Sequence, residues 1–358
     1  MPPPALLQFL RVLPEHADEL PRLMAAMDAE ALVREATHHG LAAYVLHTLQ
    51  RWQQVLPSEQ ALELRKQGVS LGAKVFKLQR LLEACLDVLA TAGIVPVLLK
   101  GFGVGKRYYP EPYLRPMGDV DILVPRAQLN ASVAALQTLG LVSPDAHLEA
   151  WARENHHHVL LHGERGTVEV HFHGLTGFGT TLDGEELYAR SVEAELSGRR
   201  VRYLKLEDEV IYLGTHAAQH LLQRLSWVFD LKLILAAHPE LDWAEVLASA
   251  RHAGVQTPLY TALRALVRGL GGTQVPAYVL EALRPSWVQA RVIDEVFSEQ
   301  RLVYSVATTT KWRTYATLPF LASGPVRMAR FVAANVKHAA QRKVAFAFPR
   351  VFPARWRG

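Results

Sequence analysis

The apolar period of the chain changes twice, and each change narrows the folds open to it. From residue 5 to 93 apolar side chains recur at helical spacing, as in Leu20, Leu23, Met24 and Met27 and again in Leu78, Leu81, Leu82, Cys85 and Leu89. Pro14, Pro21, Gly40 and Pro57 divide this stretch into several helices. At Ile94 the period shortens. Residues 94–99 and 118–124 are short apolar runs of the buried-strand kind, and 128–139 reads as a helix. Residues 156–162 and 167–172 read as two strands joined by the turn Gly163-Glu164-Arg165-Gly166, and 201–204 as one more. From Glu207 the helical spacing returns. Leu213, His216, His220 and Leu221 lie along one helix, Leu231, Ile234 and Leu235 along the next, and helices continue to about Ala340. The expected fold is α+β, with a strand-rich core at 94–205 between an N-terminal helical region at 1–93 and a C-terminal helical region at 206–358.

Half of the residues are apolar and 20% are charged, enough to fill a large core and too little charge for disorder. The single cysteine, Cys85, excludes an intrachain disulfide and a thiolate metal cluster. It lies in an apolar helical pattern, where a core role is expected. No run of 18 apolar residues occurs, and the Met-Pro-Pro-Pro start lacks a signal-peptide pattern, so a cytoplasmic protein without membrane insertion is expected. The net charge of +5 is uneven. Eleven Lys and Arg and no acidic residue fall in 301–358, which leaves 28 basic against 34 acidic residues in 1–300. Phe346, Phe348, Phe352 and Trp356 alternate with Arg350 and Arg355 in this basic end, a pattern that suits an anionic partner.

Asp119 and Asp121 carry the most chemistry. They alternate with Val120 and Ile122, so both carboxylates project from one face while the aliphatic pair turns to the core. Carboxylates about 6–7 Å apart along a strand bracket hard divalent cations such as Mg²⁺, and repel each other without one. The alternation in Val168-Glu169-Val170-His171-Phe172-His173 puts Glu169, His171 and His173 on one face. A third carboxylate from a neighbouring strand completes a site for two-metal phosphoryl chemistry. Lys100-Gly101 ends the first central strand, where a helix N-terminus and an ammonium favour phosphate. The Gly101, Gly103, Gly105 spacing fits neither a dinucleotide fingerprint nor a P-loop.

The other histidines are read more plainly. Adjacent strand residues face opposite ways, so at most two of His156, His157 and His158 share a site, and packing or hydrogen bonding is the favoured role. His216 and His220 share a helix face, but Ala217-Ala218-Gln219 between them excludes the zinc-protease motif. They line a cleft with Arg224 and Asp230, or serve as structural polar groups.

These motifs together resemble the nucleotidyltransferase superfamily typified by DNA polymerase β. More closely, the chain is similar to a bacterial nucleotidyltransferase-like family with a Leu-Lys-Gly turn, here Leu99-Lys100-Gly101, and the segment Arg115-Pro116-Met117-Gly118-Asp119-Val120-Asp121. Glu169-Val170-His171-Phe172, His157-His158, and Arg224-Leu225-Ser226-Trp227 with Asp230 match further family patterns, and the likeness spans about 98–235. Lys-Gly stands where the superfamily usually has Gly-Ser or Gly-Gly, and Glu169 where Asp is common.

The resemblance implies a mixed sheet and transfer of a nucleotidyl group from an NTP such as ATP to a hydroxyl or phosphate, with release of pyrophosphate. By it, Asp119, Asp121 and Glu169 are the catalytic residues and the ligands of two Mg²⁺ ions. Lys100, Gly101, Arg115, His171, Arg224 and Asp230 would surround the nucleotide. The acceptor is left open among a small molecule, a peptide and RNA. A catalytically altered nucleotide- or anion-binding protein and a toxin-like or tailoring transferase are the alternatives.

Overall fold

The computed structural model describes residues 3–304 and 316–347. Eight strands occur among them: β1 (Val97–Leu98), β2 (Val120–Leu123), β3 (His158–Gly163), β4 (Gly166–His171), β5 (His173–Gly177), β6 (Thr180–Asp183), β7 (Val192–Leu196) and β8 (Arg199–Tyr203). Six form one mixed sheet in the order β3-β4-β2-β1-β8-β7, and β5-β6 form a separate ribbon. β2 runs parallel to β4 and antiparallel to β1, while β1 is parallel to β8. This is the expected α+β architecture with a mixed sheet flanked by helices.

Register explains the two faces of the sheet. Val159 pairs with Val170 and Val170 with Ile122; Leu161 pairs with Val168 and Val168 with Val120. Each of these side chains is at most 1% exposed, so two apolar rows cross three strands on one face. They pack against the helix Ser58–Thr91, whose Val75, Leu78, Leu82, Cys85 and Leu89 fall at helical spacing, and against Val133 and Leu136 of the helix Leu129–Gln137. Cys85 is fully buried here, and burial pushes its thiol up to about 12, which removes it as a nucleophile at neutral pH. A second apolar cluster joins the two ends of the chain, for Leu6, Phe9 and Leu32 share it with Phe229, Leu259 and Leu266.

The structure corrects several boundaries. The first central strand shrinks to two residues, since Pro96 has no N–H to give a ladder and only its carbonyl is used, by Arg202 N. β5, β6 and β7 escaped the sequence reading, as did the helix Ala146–Asn155. β7 reads Val192-Glu193-Ala194-Glu195-Leu196, an apolar–polar alternation that a period of two could have found. A helix at Pro325–Ala347 extends the C-terminal region. Phe348, Phe352, Arg350, Arg355 and Trp356 of the basic end lie outside the described residues. Among the described residues no helix is long and apolar enough to cross a membrane.

Candidate active site

The face of the sheet opposite the apolar rows carries the acids. Parallel pairing sets Asp121 directly beside Glu169, and Asp119 lies just before β2. Ligand oxygens from Asp119, Asp121 and Glu169 lie within 4.8 Å of one another. They sit in a cleft of about 640 Å³, into which Lys74, Arg224, Trp227 and Tyr212 also face. Three acids from two adjacent parallel strands in one concavity form a hard donor set, and the spacing fits divalent ions.

Lys100 enters this cluster. Its Nζ lies 2.8 Å from Asp121 Oδ1 and 3.8 Å from Glu169 Oε2. His171 Nε2 lies 3.3 Å from Asp121 Oδ1 and 3.3 Å from Glu169 Oε2. Burial opposes ionisation of Asp121, but the Lys100 ammonium and the His171 hydrogen bond outweigh it and hold the carboxyl below its usual range. Burial likewise opposes Glu169, which His171 and Lys100 bring down to about 2. The same carboxylates raise His171 despite its burial. Asp121 and Glu169 thus share Lys100 and His171 as partners. Asp119 is left over, and burial together with Asp121 pushes it up to about 6.

Gly101 follows Lys100 with φ +33° and ψ −113°, a kink at the start of the helix Lys100–Tyr108. A side chain there would strain the backbone. It would also lie 3.9 Å from an Asp121 oxygen and 4.0 Å from the Asp119 carbonyl. Leu99 N donates to the Asp121 carbonyl, which ties this turn to the acid strand.

Other residues marked in the sequence divide into those at the cleft and those behind it. Arg224 is exposed, lines the cleft and donates to the His38 carbonyl. His216 and His220 line it with ring centroids 4.7 Å apart, and Trp227 lies 5.1 and 5.3 Å from them. Asp230 is placed otherwise. It is fully buried and takes hydrogen bonds from Arg115 Nη2 at 2.7 Å and Tyr109 Oη at 2.8 Å. Arg115 is 3% exposed, and its remaining Nη1 donates to the Pro116 carbonyl. Arg115 still lines the cleft, whereas Asp230 does not; the pair ties the turn before Asp119 to the helix Leu225–Ala237. His173 also leaves the predicted face. It opens β5 after a break in the strand, and its Nδ1 accepts from Gly184 N.

The histidine run departs most from expectation. His156 and His157 precede β3, so strand alternation does not separate the three rings. Centroids of His156, His157 and His158 lie 4.2, 4.4 and 4.6 Å apart, and all three line the cleft. Burial and the nearby His171 keep His158 neutral, with its pKa near 2. Tyr212 and Lys74 were missed. Tyr212 stands four residues before His216 and eight before His220, so helical spacing alone could have found it. Lys74 carries no comparable signal in the long helix.

No curated protein matches the chain. The family model described as an uncharacterised nucleotidyltransferase matches residues 25–271, which include the whole cluster from Lys100 to Asp230. That match runs over more than half of the chain, and the chain belongs to this nucleotidyltransferase family.

Proposed function

We propose that the chain transfers a nucleotidyl group from an NTP to a hydroxyl or phosphate acceptor, with Asp119, Asp121 and Glu169 holding two Mg²⁺ ions. The observation that carries this reading is the in-register pairing of Asp121 with Glu169 beside Asp119, at the floor of a cleft with basic walls. When bound, such ions polarise the reacting phosphoryl group and stabilise the attacking and leaving oxygens. Lys100 holds the carboxylates together in the metal-free protein and turns its ammonium to the triphosphate in the complex. The kinked Gly101 lets a phosphate approach the backbone without a side chain in the way. Arg224 and Lys74 add charge at the mouth, and the rings of Trp227 and His220, tilted by 48° to each other, offer aromatic surface to a base. The isosteric Glu169→Gln keeps the shape and removes the charge. With α-labelled NTP and a panel of acceptors, metal-dependent pyrophosphate release is expected from the wild type and a loss of about a hundredfold or more from this variant. Equal turnover by the two proteins overturns the reading.

One observation favours a second reading. Lys100 already neutralises Asp121 at 2.8 Å, as a metal ion would. If that pair is permanent, the protein binds NTP as an anion, with equal affinity with and without Mg²⁺ and without turnover. Calorimetric titration of NTP under both conditions separates the two readings.

The acceptor approaches from the C-terminal side in our reading. A second cavity of about 630 Å³ shares His156, Gln219 and His220 with the first, and is lined by Phe178, Arg330, Phe331 and Asn335. Deleting residues 325–358 is expected to raise the KM for the acceptor at least about fivefold while the KM for NTP changes less than twofold, as loss of one aromatic and one charged contact predicts. A parallel loss of both constants would assign the helix to folding alone.

A further inference from the structure

The cleft holds a second donor set that overlaps the three carboxylates at Glu169 alone. His158 stands opposite His171 in the antiparallel β3–β4 ladder, so both imidazoles rise on the face that carries Glu169. His158 Nε2 lies 3.7 Å from Glu169 Oε1, and His171 Nε2 lies 3.3 Å from Glu169 Oε2. One ligand atom from each of the three lies within 4.8 Å of the others. Donors of a tetrahedral ion bound at about 2.0–2.1 Å stand about 3.3 Å apart, close to the separations found here. Small side-chain movements would bring all three onto one ion.

The surroundings favour a ligand over simple packing. The rings of His158 and His171 are 4.9 Å apart, and His157 lies 4.6 Å from the first and 5.5 Å from the second. Nδ1 of each of these three rings is buried without a hydrogen-bond partner. Burying polar nitrogens unused costs free energy that leucine or phenylalanine at the same positions would avoid. An ion held at Nε2 of His158 and His171 is a partner that leucine or phenylalanine could not take, and it leaves Nδ1 as the ring's N–H. The donor type selects the ion, since two imidazoles and one carboxylate suit borderline transition metals, whereas Mg²⁺ prefers oxygen and water.

We propose that His158, Glu169 and His171 bind one transition-metal ion of the Zn²⁺ class, beside the three-carboxylate set and sharing Glu169 with it. Glu169 offers one oxygen toward His158 and the other toward His171 and Lys100, so it can serve both sets. The ion pins the β3–β4 edge and fixes the orientation of the carboxylate that the transfer chemistry needs. The inference rests on the imidazoles and stands whether or not the chain is an active transferase.

The test uses the full chain, stripped with chelator and titrated with Zn²⁺ against a chromophoric competitor in a large excess of Mg²⁺. One Zn²⁺ per chain is expected, with affinity at least about tenfold weaker in His158→Ala and His158→Gln and unchanged within about twofold in Asp119→Ala. Zn²⁺ bound equally by the wild type and both His158 variants overturns the proposal, as does binding lost in Asp119→Ala and kept in His158→Gln. X-ray absorption at the zinc edge of the wild type gives an answer independent of any variant's folding. Imidazole scattering is expected, and a shell of oxygen alone overturns the assignment.

Discussion

Asp119→Asn is expected to abolish nucleotidyl transfer and at the same time to raise the melting temperature of the metal-free protein at pH 7.5. Asp119 is the acid without a compensating cation. Lys100 and His171 are engaged by Asp121 and Glu169, and Asp119 is raised to about 6 by burial and by Asp121. Its folded pKa therefore lies above the unfolded value of 3.8. Between those values the native state binds more protons than the unfolded state, so stability falls as pH rises through that window. Above about pH 6 the wild type carries the full penalty, about 2 kcal/mol for a shift of this size in a side chain that is not fully buried. Asparagine removes it. The variant should melt a few degrees higher at pH 7.5 in chelator, and the gain should vanish as pH falls toward 4. Transfer should drop about a thousandfold or more, since the lost charge is one that faces the reacting phosphates. Scanning calorimetry at several pH values and pyrophosphate release measure the two halves. A residue that costs stability and supplies activity is a functional residue. A lower melting temperature at pH 7.5 would instead make Asp119 a structural acid, and the site would have to be assigned elsewhere.

The carboxylate site was legible because its signal is local. Gly118-Asp119-Val120-Asp121-Ile122 states its own alternation, and Val168-Glu169-Val170 repeats it on a second strand with valines on the matching face. Which strand lies beside which was not legible from the residues themselves. The pairing of β2 with β4 follows from the whole apolar layer, and so does the proximity of Lys100 to Asp121. The histidines failed for a definite reason. Alternation was applied to His156 and His157, but the strand begins at His158, and one residue of boundary error reverses a face. β7 alternates glutamates on a wet face with Val192, Ala194 and Leu196 on the other, a signal that is local but only five residues long. Asp230 was placed at the nucleotide because a motif tells which residues occur together but not which side of a helix faces the cleft. On the helix Leu225–Ala237 nearly every position is buried, so no polar face marks the direction.

Asp230→Ala is expected to be the most destabilising single change among these residues. Arg115 and Asp230 form a buried pair, with side-chain exposures of 4% and 0%. The guanidinium gives Nε and Nη2 to the carboxylate, and Tyr109 adds its hydroxyl. Removing the carboxylate leaves Arg115 charged and dry, a loss of about 3–5 kcal/mol. Asp230→Asn keeps the shape and part of the hydrogen bonding and should cost less. Replacing both partners, as Arg115→Met with Asp230→Leu, should recover most of the stability, because the expense lies in the unpaired charge and not in the absence of the pair. Urea unfolding of the three proteins tests this order. The double variant also decides what Arg115 does. Its Nε and Nη2 donate to Asp230 and its Nη1 to the Pro116 carbonyl, so it holds the Pro116–Gly118 turn against the C-terminal helices and thereby sets the position of Asp119. On that account the double variant should bind NTP within about threefold of the wild type, since no phosphate contact is lost, but turn over more slowly, since small displacements of a reacting group are costly. If Arg115 grips phosphate directly, the double variant should be stable and its KM for NTP should rise about tenfold or more, the worth of a charge-assisted hydrogen bond. The split between KM and kcat therefore separates an arginine that touches the nucleotide from one that holds the strand carrying the acids.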